Sequence, residues 1–433
     1  MLLSLLQAPV PPPLHPPMNT TAVRQMLRIC CALAWGAVLS AEGWPGWRGA
    51  RRDGRLEGLT PSTPIPKSLE VEWKLVVGEG HASPIGWGGT VFVFSREGEE
   101  EVLRAVDLKG KPRWRAAYPA PYKMNEFAVS HGPGPKSTPV HAGSAAGGRV
   151  ITLGISGILS AFDAATGETR WRKDFSKELK ATSPLYGAAM SPLVAEGLCI
   201  AHVGGHDHGA LRAFDLETGE PRWSFDGDGP GYASPLLAEW QGTKQVVTQT
   251  QSRLVGVRLG DGKLLWSLPF TTEYDQNSVT ALVDGDHVIY SGYQKPVAAV
   301  RVSQDGATWS AAPAWSNSEV SQFMSSPVLH EGLVFGLSMK QKGQLFCLDA
   351  ATGKTHWKGR GRLGENAALV LLGPLLAVLT TDAELHLAKP TARGEEVLAT
   401  YKVADSATWA HPLFVPGKVL VKDKSSLICL KLP

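Results

Sequence analysis

The side chains best able to do chemistry lie in polar stretches between apolar runs. Gly204-Gly-His-Asp-His-Gly209 sets His206 and His208 two apart, with Asp207 between them and His202 nearby. Neutral imidazole and carboxylate are good ligands for Zn²⁺ and other transition metals, so His206, Asp207 and His208 form a candidate metal site. The same spacing arises readily in a solvated loop, where these residues cap backbone groups. Glu126, His131 and Lys136 fall within Tyr122–Lys136 and can hold an anionic or polyol ligand. Tyr186 and Tyr232 can stack on a flat ligand, and Asn277 and Gln322 occupy further polar loops; each can equally serve to pack its loop. Glu178 sits just before the loop that carries Tyr186. Standard catalytic signatures fail. Gly353-Lys354-Thr355 lacks the earlier glycine of a phosphate loop, and there is neither a Gly-x-Ser-x-Gly elbow nor a His-Glu-x-x-His pair.

A repeated unit holds these loops. Ala161-Phe-Asp-Ala-Ala-Thr-Gly-Glu-Thr-Arg-Trp171 returns as Ala213–Trp223 and Cys347–Trp357, with weaker copies ending at Trp114, Trp266 and Trp315. With Trp73 and a degenerate Tyr401, eight aromatics recur at steps of 41 to 57 residues. A period of about 40–50 residues with a recurring aromatic is propeller-like. Units open with Ser83-Pro84, Thr138-Pro139, Ser191-Pro192, Ser234-Pro235, Ser326-Pro327 and His411-Pro412, with Ser278-Val279 and Ala367-Ala368 standing in twice. Proline is tolerated at the first residue of a strand. A second apolar strand follows, then a third ending in Asp-x-x-Thr-Gly, where Asp bonds its own backbone and Gly supplies positive φ. The aromatic lies on the fourth.

The expected fold is therefore all-β, an eight-bladed propeller of four-stranded antiparallel blades. The last unit stops at its third strand, Leu427–Leu432, whereas Leu69–Leu75 has a fourth-strand pattern with no three strands before it. The N-terminal strand should close the last blade and leave only short protected edges. Trp73, Trp114, Trp171, Trp223, Trp266, Trp315 and Trp357 are then structural, stacked between blades. Cys347 and Cys429 share a small third-strand slot with Ala105, Ala161, Ala213, Gly256 and Ala299, where cysteine acts as a small hydrophobe. If strands alternate outward from the axis, the Asp-x-x-Thr-Gly turns share one face. All the candidate ligand-binding loops share the other, and function concentrates on such loops over a rigid scaffold.

Composition agrees with this reading. The 433 residues include 47 Gly and 31 Pro but only 19% charged residues and 14 Trp, which excludes a coiled coil, a collagen and a disordered chain. Arg24 and Arg28 precede an apolar run at Ile29–Leu39 and small residues at Ser40 and Ala41, the order of a secretory signal. Residues 1–41 are read as that signal, starting at Met18, residues 42–68 as an N-terminal segment and residues 69–433 as the propeller. No later stretch is long enough to span a bilayer. Without Arg24 and Arg28 the chain carries 41 basic and 40 acidic side chains, so no nucleic-acid footprint is expected. The three remaining cysteines, Cys199, Cys347 and Cys429, make no disulfide framework.

The Ala-x-Asp-x-x-Thr-Gly-x-x-x-Trp phrase resembles the pyrroloquinoline-quinone-type (PQQ-like) propeller repeat. That superfamily includes quinoprotein alcohol dehydrogenases and the outer-membrane assembly lipoprotein BamB. Trp44-Pro-Gly-Trp-Arg-Gly-Ala-Arg-Arg-Asp-Gly54 and Gly134-Pro-Lys-Ser-Thr-Pro139 look like a secreted bacterial subfamily. For the dehydrogenases the resemblance implies PQQ beside an adjacent-cysteine disulfide, Ca²⁺ held by Glu, Asn and Asp, and an Asp base. The adjacent cysteines here, Cys30-Cys31, lie inside the signal, and no lipobox cysteine of the BamB kind is visible. No cofactor is therefore assigned. The expectation is a monomeric periplasmic or extracellular scaffold that binds a protein or small-molecule ligand on its loop face. The alternatives are a quinone- or metal-dependent oxidoreductase and a BamB-like envelope assembly factor.

Overall fold

The computed structural model describes residues 43–59, 64–143, 147–179 and 184–432. The residues expected to form a signal, including Arg24, Arg28 and Cys30-Cys31, lie outside the described residues. Eight antiparallel sheets form a closed ring, and the helices among the described residues are short 3₁₀ turns. Blade 1 begins at Ile85–Trp87, blade 2 at Val140–Ala142, blade 3 at Leu193–Ala195 and blade 4 at Leu236–Trp240. Blades 5 to 8 begin at Leu282–Asp284, Val328–His330, Ala367–Leu372 and Leu413–Val415. Blade 8 is completed by Val71–Val76, which pairs antiparallel with Ser426–Lys431 (Trp73 opposite Cys429, Leu75 opposite Leu427). The N-terminal strand closes the ring as the sequence predicts.

The repeat phrase works as one device. A small residue faces each Trp across the third and fourth strands: Ala105–Trp114, Ala161–Trp171, Ala213–Trp223, Gly256–Trp266, Ala299–Trp315, Cys347–Trp357 and Cys429–Trp73. Six of these indoles then donate to the next blade, to a carbonyl at its third-strand turn: Trp73 to Leu108, Trp114 to Ala164, Trp171 to Leu216, Trp223 to Leu259, Trp315 to Ala350 and Trp357 to Thr391. The turn glycine lies flat against the incoming ring. A Cβ at Gly219, where φ is +72°, would stand 2.7 Å from Trp171 Cδ2. Glycine is thus required both for its backbone angle and for the space. The turn Asp acts as expected, with Asp163 Oδ1 accepting from the Ala165 and Thr166 amides at 3.0 and 3.1 Å.

Two units depart, each for a visible reason. Blade 5 carries a longer hairpin, Val297–Asp305 with Thr308–Asn317. Trp266 accordingly bonds Gln245 Oε1 within its own blade at 2.8 Å. In blade 7 the Trp register is held by Ala399 opposite Leu387, and Tyr401 lies two residues further on. Blade 8 offers no covalent third-to-fourth turn to receive an indole, since its strands come from opposite chain ends; Tyr401 Oη instead donates to Pro66 O at 2.6 Å.

The serine of Ser-Pro has a role that the sequence reading leaves unassigned. Ser83 N donates to Thr138 Oγ1, Thr138 N to Ser191 Oγ, Ser191 N to Ser234 Oγ, Thr280 N to Ser326 Oγ and His411 N to Ser83 Oγ, at 2.9–3.1 Å. Ala367 N reaches Ser325 Oγ at 2.9 Å. A belt of side-chain bonds thus links neighbouring blades around the axis. In blade 5 the slot is Thr280-Ala281 rather than Ser278-Val279, because Thr280 carries the amide that enters the belt.

The N-terminal segment fills the axis. Gly43–Trp44 pairs antiparallel with the innermost strand of blade 1, and Arg55–Leu56 pairs parallel with that of blade 7. Inner strands run from the loop face to the turn face, so the segment enters the channel from the turn face, bends, and returns to it. His141 N of blade 2 donates to Pro45 O, and Arg52 reaches the Ser191 and Pro192 carbonyls of blade 3 at 2.8 and 2.7 Å. Trp47 Nε1 bonds Thr280 Oγ1 before blade 5, Arg48 bonds Ser326 O and Pro327 O before blade 6, and the Trp47 ring lies 4.5 Å from His411 before blade 8. The Trp44–Gly54 motif is an axial plug.

Candidate functional site

The loop-face mouth of the channel is built from the segments that join one blade to the next. His81 comes before blade 1, His131 before blade 2, Tyr186 before blade 3, Tyr232 before blade 4 and Trp409 before blade 8. Their rings form a continuous arc. Trp409 lies 5.3 Å from His131, His131 5.1 Å from Tyr186, and Tyr186 5.6 Å from Tyr232, and His81 packs against the first two rings, 5.6 Å from Trp409 and 6.4 Å from His131. His81 Nε2 is 3.0 Å from His131 O. Edge-on aromatic pairs of this kind are worth about 0.5–1.5 kcal/mol beyond their buried area. Glu365 and Tyr293 bear on the Tyr186 hydroxyl, which burial pushes above its ordinary pKa. Across the mouth Tyr293 packs on Phe323 at 4.8 Å.

Two lysines anchor the floor. Lys136 Nζ donates to Gly132 O at 3.1 Å, and Lys422 Nζ to Gly78, Gly80 and Asp423 carbonyls at 3.2, 2.8 and 3.2 Å. Burial pushes Lys136 down to about 7 against the opposing pull of Glu101, and Lys422 to about 8. Burial and these two cations also push His81 down to about 3, so it is neutral at ordinary pH. His131 is lowered by burial and by Lys136. Glu101 is fully buried, accepting from Tyr118 Oη at 2.8 Å and Ile155 N at 2.7 Å, and burial raises its pKa.

The arc thus unites His131, Tyr186 and Tyr232, with Lys136 beneath it. Glu126 opens a short 3₁₀ turn, Glu126–His131, capped by Asn125 Oδ1 on Phe127 N at 3.0 Å. Asn277 and Gln322 are fully buried. Asn277 Nδ2 ties Thr250, Gln251 and Phe270 carbonyls together, and Gln322 Nε2 bonds Ser325 O at 2.8 Å. The histidine loop is tied down separately. His206 Nδ1 faces Asp275 at 3.4 Å, His202 Nε2 is 2.8 Å from Asp228 O, and Asp207 pairs with Gln251 at 2.9 Å. Glu178 pairs with Arg212. Among the described residues no group of three or more His, Cys, Asp or Glu is arranged to hold a metal ion.

Sequence reasoning misses His81, Trp409, Lys422 and Glu365, which lie in short repeats where no insertion marks a loop. It also misses Phe127 and Val129, 79% and 60% exposed on the turn that carries Glu126. Their apolar character beside Asn125 and Glu126 is the available signal, since large exposed hydrophobics on a loop mark contact surfaces.

The group that the dehydrogenase resemblance implies does not fit these residues. The described cysteines, Cys199, Cys347 and Cys429, are buried singly in blades 3, 6 and 8. Burial pushes the first two thiols up to about 12 and the third to about 11. Among the described residues no adjacent cysteine pair stands beside the mouth to hold PQQ, and none of their acidic groups is arranged there as a set for Ca²⁺.

Comparison with known proteins agrees with the architecture. A family described as outer membrane protein assembly factor BamB matches residues 98–359. BamB of Yersinia pestis is 23% identical over 402 residues, covering 86% of this chain and 92% of that protein. The crystal structure of BamB from Moraxella catarrhalis superposes with a TM-score of 0.60 at 15% identity, covering 84% of this chain and 97% of that one. A europium-containing methanol dehydrogenase gives 0.65 at 15% identity, covering 88% and 89%; likeness at this identity speaks for the fold. On the family match, the repeat and the eight blades, this chain belongs to the PQQ-like propeller family of the outer membrane protein assembly factor BamB.

Proposed function

We propose that this chain is an exported interaction scaffold of the bacterial envelope, binding a partner protein on its loop face at the mouth of the channel. The observation that carries the reading is the arc Trp409–His131–Tyr186–Tyr232 with Phe127 and Val129 exposed near it. Aromatic anchors of this kind dominate protein contacts when a partner excludes water from them. The turn face is less suited, since its channel mouth is filled by the plug and its turns are short and alike. Export rests on the charge, apolar run and small residues of positions 24–41. The relatives' assignment to outer membrane protein assembly supports an envelope setting and a protein partner.

A test is chemical crosslinking in envelope extract with the full chain and with a Phe127→Ser, Val129→Ser double variant. Both replaced side chains are largely exposed, so the fold should be kept. Adducts formed by the parent should be lost at least severalfold in the variant. Undiminished adducts in a folded variant would overturn the assignment to this face.

A further inference from the structure

The axial plug is an unusual way to fill a channel. Residues 43–56 touch the inner ends of at least six other blades or their lead-in segments besides blade 1, yet their two central anchors are cations. Arg48 and Arg52 are 0% and 5% exposed. Their guanidinium groups bond carbonyls: Ser326 and Pro327 for Arg48, Ser191 and Pro192 for Arg52. Among the described residues no carboxylate lies within ion-pair distance of Arg52, and its Nε has no hydrogen-bond partner. Burial pushes Arg52 down to about 9 and Arg48 to about 10.

Taking such a charge out of water without a counter-charge is costly, so the plug sits in its channel less firmly than an apolar segment of its size would. It also leaves space. A recess of about 310 Å³ separates Ala50–Asp53 from Leu193, Leu236, Leu237 and Leu282 on blades 3 to 5. The wall it binds offers two kinds of contact that a peptide can use. Inner-strand edges on blades 1 and 7 offer backbone pairing of both senses, a recurring mode of peptide capture. The carbonyls of the Ser-Pro slots, held in place by the belt, accept arginine.

We infer that the channel wall is a peptide-binding site for a turn-forming segment carrying two arginines four residues apart, and that residues 43–56 occupy it as a displaceable internal ligand. The site is distinct from the loop-face arc and does not depend on it. Release of the plug bares the belt carbonyls and opens the axis from the turn face. Ring closure by Val71–Val76 is separate and survives release.

The test uses the full chain and an Arg48→Ala, Arg52→Ala double variant, with a fluorescent synthetic peptide of residues 43–56 as probe. In the parent, hydrogen exchange at the His141 and Leu371 amides is slow, because they donate to the plug carbonyls of Pro45 and Gly54. In the double variant these amides should exchange at least tenfold faster while ladder amides within the blades keep their protection. The peptide should bind the variant saturably and the parent at least tenfold more weakly, and a peptide with both arginines replaced should bind neither. Unchanged protection of His141 and Leu371, or a folded variant that fails to take up the peptide, overturns the inference. If the double variant does not fold, Arg52→Ala alone is measured by the same exchange and binding criteria.

Discussion

Replacing Gly219 by Ala isolates the inter-blade Trp contact. Gly219 has φ +72°, and an L side chain in that region costs about 1–2 kcal/mol by itself. Gly417 has almost the same angle, +74°, with nothing within 4 Å of the added methyl, so Gly417→Ala carries that backbone cost alone. At Gly219 the methyl would also stand 2.7 Å from Trp171 Cδ2, against an ordinary carbon contact of about 3.5–4.0 Å. The ring must move, and its Nε1 bond to Leu216 O, 2.9 Å long, is lost. Leaving a buried donor unsatisfied costs about 1–3 kcal/mol. Gly219→Ala should therefore destabilise by about 3–4 kcal/mol, about 2 kcal/mol more than Gly417→Ala. Urea denaturation of the two variants measures the difference. In a Trp171→Ala background the excess should vanish, a coupling that a double-mutant cycle reads directly. Equal losses at the two glycines, or an excess that persists without Trp171, would refute the docking argument.

Acid should weaken the fold before most carboxylates titrate. Burial pushes His141 and His202 down to about 4 and His81 and His411 to about 3, from 6.5. These rings stay neutral in the folded chain, while the unfolded chain takes up protons below about pH 6.5, so stability is full above that pH and falls as pH drops toward the folded values. At about 1.4 kcal/mol per pKa unit, His202 alone withdraws about 3 kcal/mol by pH 4; denaturant midpoints that do not change between pH 7 and 4.5 would contradict this. Ser191→Ala removes the acceptor of the Thr138 amide and breaks the belt between blades 2 and 3. It should cost about 1–3 kcal/mol by the same denaturation assay, whereas Ser303→Ala, at an exposed hydroxyl pair, should cost well under 1 kcal/mol.

The blades are legible in the sequence because each repeat is a local device. The small residue, the Asp turn, its glycine and the Trp fall within about a dozen residues, and the period repeats the message. The face on which the candidate loops lie follows from strand alternation. What stays hidden depends on ring closure. Arg48 and Ser326 are 278 positions apart, and His411 and Ser83 are 328 apart. No local spacing announces that a serine before proline will receive an amide from the neighbouring blade, or that the Trp44–Gly54 motif will enter the axis. The aromatic arc is half legible for the same reason: His131, Tyr186 and Tyr232 stand in long or polar loops, while His81 and Trp409 meet them only when blade 8 is joined to blade 1.

Site-specific photocrosslinking in the envelope tests the central claim most directly. A photoreactive residue is placed at Phe127 on the loop face, and in a second chain at the exposed Thr352 turn on the opposite face. The account predicts a discrete protein adduct from position 127 and none from position 352. Adducts from position 352 with none from position 127 would contradict it.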